Sequence, residues 1–383
     1  REPKMIAGMV KRIAAVAAAA VLPVIWVACA GSEEVEQAVG TSGTAAADSV
    51  EPRSPDGLRY LQQPLVTEIY TADPSAHVFE GRIYIYASHD IPTDVPADDM
   101  GAHFQMRDYH VLSMDRIGGE VTVHPVALDV DDVPWASGQM WAPDAAYKDG
   151  TYYFYFPAKD ADGIFRMGVA TGDRPEGPFR AEPEPIRGSF SMDPAVFVDD
   201  DGVAYMYFGG IWGGQLQCWT TGAYDPECTR TDHQEADQPA LMPKVARLTD
   251  DMLQFAEEPR DAMIVDAQGA PILAGDLDRR FFEAAWLHKH DGRYYLSYST
   301  GDTHYIVYGV SDSPYGPFTY GGRILEPVQG WTSHHSIAQV GDQWYLFYHD
   351  TQLSDETHLR NVKVTELVHE ADGSIRTIDP FLR

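Results

Sequence analysis

Three acidic residues, Asp73, Asp193 and Glu283, each stand at the head of a short apolar run that passes through a tight turn into a Tyr-rich run. Carboxyl groups brought together in this way can carry out acid–base hydrolysis. Cleaving an acetal such as a glycosidic bond needs a proton for the leaving oxygen and either a base to activate water or a nucleophile, and two Asp or Glu side chains supply both. The two must differ in pKa, and a third acid helps, because an anionic neighbour raises the pKa of the group that donates. Glu283, beside Phe281, Phe282 and Trp286, has the most apolar setting and suits the protonated role. Asp73 and Asp193 each precede a proline in a polar context that suits an anion.

The elements that must position these acids form a repeat. The unit recurs with Asp73, Asp144 (in Trp141-Ala142-Pro143-Asp144), Asp193, Glu283 and the pair His334-His335 at its head. The copies lie roughly 50 to 90 residues apart, with Asp-Gly or Gly-rich turns between alternating aromatic and apolar runs. No long amphipathic helix is evident, so the chain is read as all-β. Five copies predict a five-bladed β-propeller over residues 56–383, with blades of four strands and the first strand of each lining the central channel. That geometry gathers the five heads in one place. A single Asp-Pro is a common turn dipeptide, and a single Tyr-rich strand is ordinary sheet. A turn role, however, needs no carboxylate at the equivalent point of four copies. A second partial repeat, Asp173 to Phe179 and Asp312 to Phe318, follows two of the Tyr-rich runs and is read as a structural outer hairpin.

Taken in order, Ala72-Asp73-Pro74, Trp141-Ala142-Pro143-Asp144, Met192-Asp193-Pro194, Phe282-Glu283-Ala284 and His334-His335-Ser336 resemble glycoside hydrolase family 43, from about Leu65 to Ile378. The resemblance implies that Asp73 is the general base, Glu283 the general acid, and Asp193 the residue that tunes and orients Glu283. It implies inversion at the anomeric carbon, with base and acid roughly 6.5 to 9.5 Å apart. Arg360 matches an arginine that contacts the sugar in the deepest subsite, the alternative being a surface salt bridge. The His334-His335 pair falls where a histidine holds a central divalent cation, commonly calcium, largely through water. Such an ion would moderate repulsion among the acids. Adjacent strand residues point to opposite faces, so one of the two faces the channel, and alignment on Ser336 favours His334. Asp144 is kept as a substrate contact or a structural acid. Trp141 is the aromatic expected to stack on sugar, whereas Trp212 and Phe282 default to core packing. The implied activity is exo-acting release of terminal pentoses from xylan or arabinoxylan fragments, as β-D-xylosidase, α-L-arabinofuranosidase or both. An endo-arabinanase and a non-catalytic carbohydrate-binding propeller are the alternatives, and a related configuration-retaining fructoside-cleaving propeller is a third.

Composition agrees with a sugar ligand. Across 383 residues, 28 Lys and Arg face 58 Asp and Glu, a net charge of −30 that opposes nucleic acid and anionic membranes. With 44% hydrophobic residues the chain has ample core for a large domain. Residues 1–30 read as a signal peptide, with Lys11-Arg12 ahead of an apolar run. The run ends Ala28-Cys29-Ala30, which fits either lipoprotein processing at Cys29 or ordinary cleavage. The mature protein is accordingly expected to be secreted or periplasmic, with any membrane attachment through a lipid on Cys29. Residues 31–55 read as a flexible tether. Cys218 and Cys228 remain, either as a disulfide or as two free thiols.

Overall fold

The computed structural model describes residues 57–228 and 234–382, which form strands and turns with three short 3-10 helices. The segments read as signal peptide and tether, together with Cys29, lie outside the described residues.

Blade I comprises Tyr70–Phe79, Arg82–Asp90, Asp108–Met114 and Thr122–Asp129, in that order in an antiparallel sheet. Blade II comprises Asp144–Lys148, Thr151–Lys159, Phe165–Gly172 and Arg180–Ala181. Blade III comprises Ala195–Val198, Ala204–Phe208, Lys244–Arg247 and Arg260–Asp261. Blade IV comprises Glu283–His290, Arg293–Ser299, Ile306–Ser311 and Phe318–Leu325, and Ile264–Val265 adds a fifth, parallel strand at its outer edge. Blade V has three strands, His335–Val340, Gln343–Asp350 and Asn361–Leu367, against the four expected. Its open edge is covered instead by the incoming chain, where Leu65 N donates to Val362 O and Thr71 N to Arg360 O, both at 2.8 Å.

The Tyr-rich run of each repeat is the second strand of a blade, and its alternation builds the ring. Tyr84 and Tyr86 pack toward blade II, while Ile83 and Ile85, one residue out of phase, pack toward blade V. In blade II, Phe154 and Phe156 face blade I and Tyr155 faces blade III. In blade IV, Leu296 and Tyr298 face blade III and Tyr295 faces blade V. Both faces of each blade are therefore buried, and each seam between neighbours has its own apolar cluster. Every fully buried large side chain there contributes about 1.5–3 kcal/mol. Arg59–Tyr60 pairs with Phe381–Leu382, tying the two ends of the described chain together. The repeated turns Asp173–Phe179 and Asp312–Phe318 join the third and fourth strands of blades II and IV, as the outer-hairpin reading expects.

Candidate active site

The strand heads do not all continue their ladders. In blade I the register slips between Ala72 and Ser75, and in blade IV between Glu283 and Trp286. Such bulges re-aim the side chain at the end of a strand. Asp73 (φ 50°) and Ala284 (φ 63°) are left-handed at these points, and Asp193 (φ 56°) is left-handed just before blade III begins at Ala195. Aspartate tolerates that region better than most residues. Pro74 and Pro194, which follow the two aspartates, have no N–H to lose from a ladder. The result is that Asp73, Asp193 and Glu283, all buried, open into one cavity of about 330 Å³ at the channel.

The three carboxyls differ sharply in environment. Asp73 accepts from Ser88 Oγ (2.7 Å) and from Arg360 Nη1 (2.9 Å), and its own N–H donates to His349 Nδ1 (3.0 Å). Burial disfavours its anion, but the Arg360 guanidinium, His349, His334 and the Ser88 hydroxyl together outweigh that and hold the pKa down at about 2. Arg360 is itself fixed by Asp90, which accepts from Nε and Nη2 at 2.8 Å each, and it lies 4.8 Å over the Phe104 ring. Glu283 is the opposite case. Burial, followed by the charges of Asp193 and Asp73, pushes its pKa well above the usual carboxylate range. Asp193 is pushed well above the carboxylate range too, by burial and by the charge of Asp73. Unlike Glu283, however, it accepts a backbone N–H, from Ala284 (3.0 Å), a bond that favours its anion and so favours the shared proton on Glu283.

The cavity wall is apolar and tightly approached. The loop after Phe208 contributes Ile211, Trp212, Gly213 and Gly214. Its glycines are required by contact: a Cβ on Gly213 would lie 2.8 Å from Met100 O and 3.2 Å from the Trp141 ring, and one on Gly210 would lie 3.3 Å from Glu283 Cβ. Trp212, Phe282 and Trp331 form a ring cluster with centroids 5.1 to 5.5 Å apart. Trp141 is anchored by Nε1 donating to Phe104 O (2.9 Å) and packs on Phe165. Cys218 and Cys228 are joined, closing the stretch that follows this wall. Replacing Cys228 with Ser is expected to lower unfolding free energy by about 2–3 kcal/mol, from the loop entropy a short crosslink removes, measured by the urea midpoint against the unmutated chain.

The predicted site residues separate into two groups. Asp73, Asp193, Glu283, Trp141, His334 and Arg360 line the cavity. Arg360 is deeply buried and held by two aspartates, so the surface salt-bridge alternative is wrong. Asp144 does not line the cavity. Its oxygens accept from Ser75 Oγ, His77 Nε2 (2.6 Å) and Val196 N, so it stitches blades I, II and III together and is the structural acid of the two alternatives. His335 also turns away, its Nε2 against Ser297 Oγ (2.6 Å) in the seam with blade IV, so His334 is the channel-facing member of the pair. Trp212 and Phe282 pack in the core between blades III and IV, as expected, and also line the cavity. Asp90, His349, Thr332, Trp331 and Phe104 were not foreseen.

A five-bladed propeller whose channel ends in buried carboxyls of opposite protonation preference, walled by aromatic rings, is the build of a glycosidase. Residues 62–375 match Glycosyl hydrolases family 43, and the chain belongs to that family. It is 61% identical to xylosidase/arabinosidase 43A of Humicola insolens over 324 residues, covering 83% of this chain and 99% of that protein. Among solved structures it is similar to a family 43 β-xylosidase/α-arabinofuranosidase from a compost microbial metagenome, crystallised with xylotriose in a calcium-free form. That likeness is 65% identity, TM-score 0.83, and coverage of 84% and 98% of the two chains. A related Xanthomonas citri enzyme, also solved with xylotriose, is 57% identical with TM-score 0.79, covering 84% and 94%.

Proposed function

We propose that this glycosidase acts at chain ends, releasing terminal xylose and arabinofuranose from xylan and arabinoxylan fragments with inversion of configuration. The observation that carries the reading is that two carboxyls in one cavity are held in opposite states, Asp73 ionised and Glu283 protonated. Asp73 takes a proton from the attacking water, and Glu283 gives one to the departing oxygen. Asp193 keeps that proton on Glu283, and Arg360 both holds Asp73 and presents its guanidinium to the sugar. The modest cavity, at the small end of ligand pockets, suits one terminal unit. The names of the relatives point to xylose and arabinose as that unit.

A divalent cation, calcium in the first instance, would sit beside His334 and be held largely through its own oxygen-donor water shell. Both ring nitrogens of His334 lack a hydrogen-bond partner, Nε2 lies 3.6 Å from Asp193 Oδ2, and burial lowers its pKa to about 4, leaving a neutral ring. When bound, such an ion would offset the mutual repulsion of the carboxylates.

The test is a panel of aryl β-D-xylopyranoside, aryl α-L-arabinofuranoside and xylo-oligosaccharides, with and without chelator, with NMR detection of the anomer first released. Turnover of both pentosides with inversion is expected. Retention of configuration, or no turnover of any pentoside, would sink the proposal. Replacing Asp193 with Asn removes a charge that raises the Glu283 pKa. The alkaline limb of kcat/KM, where Glu283 loses its proton, should therefore move to lower pH. An unmoved or raised limb would show that Asp193 does not act through Glu283.

A further inference from the structure

We propose that His89, Asp108 and His110 on blade I form a second cation site, outside the lining of the catalytic cavity and suited to a first-row transition dication of the zinc class. The strand register creates the cluster. Ala87 pairs with His110 and Ser88 with Tyr109, so the next step of the ladder sets His89 opposite Asp108. Asp108 and His110 are two apart on one strand and share a face, while Tyr109 between them is buried on the other. Three ligating side chains thus project from two neighbouring strands on one side of the sheet, with ligand atoms all within 4.8 Å of one another.

The orientation of the imidazoles favours a metal. His110 Nδ1 donates to His124 O (2.8 Å), which fixes the ring orientation and leaves Nε2 toward the carboxylate, where a bound cation would take the place of a proton. That Nε2 stands 3.6 Å from Asp108 Oδ2. Two ligands about a tetrahedral ion with bonds of about 2.0–2.1 Å stand roughly 3.3–3.4 Å apart, so a small adjustment would admit the ion. His89 Nδ1 lies 2.7 Å from Asp108 Oδ1, a hydrogen bond that coordination would replace. Two neutral imidazoles and a carboxylate leave one negative charge for a dication, and this donor set suits zinc and its neighbours, whereas calcium prefers oxygen alone. The side chains are 20%, 16% and 16% exposed, so water can reach the cluster and complete the coordination. The net charge of −30 concentrates cations around the whole molecule. None of the three lines the catalytic cavity.

The test uses the full chain, stripped with chelator and titrated with Zn²⁺ by calorimetry, with Co²⁺ in parallel for its visible absorption. One Zn²⁺ should bind with an affinity that survives His334→Ala and also His290→Ala, which breaks the separate histidine cluster His290 forms with His369 and His288. In His110→Ala it should weaken by at least the ~10–100-fold that follows loss of an outer hydrogen-bond partner, with hydrolysis of an aryl pentoside unchanged. Asp108→Asn, which keeps the side-chain size, carries the same expectation if His110→Ala folds poorly. The proposal is overturned if no Zn²⁺ binds, if binding persists in Asp108→Asn and His110→Ala, or if it is lost only in His334→Ala or His290→Ala.

Discussion

Replacing Glu283 with Gln should lower kcat on a xylo-oligosaccharide by about 10²–10⁴-fold, the usual worth of a positioned acid, while an aryl xyloside with a good leaving group loses far less. The difference lies in what departs. A sugar hydroxyl leaves poorly unless it is protonated in the transition state, whereas a nitrophenolate is stable as an anion and needs little help. Gln is neutral, as Glu283 is in its resting form, and almost the same size, so KM should hardly change and the loss should appear in kcat. The loss on the natural substrate corresponds to roughly 3–5.5 kcal/mol of transition-state stabilisation. The alkaline limb of the pH profile, set by the raised pKa of Glu283, should vanish with it. Parallel kinetics on the two substrates decide the matter: equal losses on both would mean that Glu283 is not the donor.

Asp73→Asn should behave differently, losing at least ~10²–10⁴-fold on both substrates, because water must be activated whichever group leaves. The substitution keeps the side-chain shape, and Arg360 keeps its two bonds to Asp90, so the fold should hold. The pH dependence of the unmutated chain follows from the same contacts. Asp73 titrates at about 2, below its ordinary value, so it remains an anion across the range in which activity is measured. Its ion pair stabilises the fold above the ordinary aspartate pKa, and that contribution is lost as pH falls through about 2. An acid limb of kcat/KM above pH ~4 therefore belongs to another group. Strong activity of Asp73→Asn on either substrate would remove Asp73 from the base role.

The repeat made much of this readable in advance. A carboxylate or histidine at the head of each copy announced both the blade count and the convergence of Asp73, Asp193, Glu283 and His334. Asp144 shows where head position alone misleads. Asp73 and Asp193 precede a proline and take left-handed backbone, which turns their carboxylates toward the cavity, whereas Asp144 follows Pro143 and continues straight into its ladder. The order of the two residues was visible, but its meaning depends on the bulge. Asp90 and His349 could not be found by spacing, because they act across the ring: Asp90 meets Arg360 across 270 positions, and His349 meets the Asp73 amide across 276. Partners set only by closure leave no local pattern. Trp331 was missed for a related reason, since its role comes from packing on Trp212 and Phe282, which belong to other parts of the chain. The three strands of blade V were equally invisible, because its missing edge is supplied by the segment that precedes blade I.

The chain is synthesised from one end, and the first of its proposed catalytic groups waits for its last blade. Asp73 belongs to blade I, yet the guanidinium that helps hold it ionised comes 287 positions later, and Arg59–Tyr60 finds its strand partner in Phe381–Leu382. A nascent or truncated polypeptide can contain all three carboxylates and still lack a working base. With Asp73 in the proposed base role, hydrolysis should appear only once the last blade has docked, and such distant pairings are the kind that slow folding.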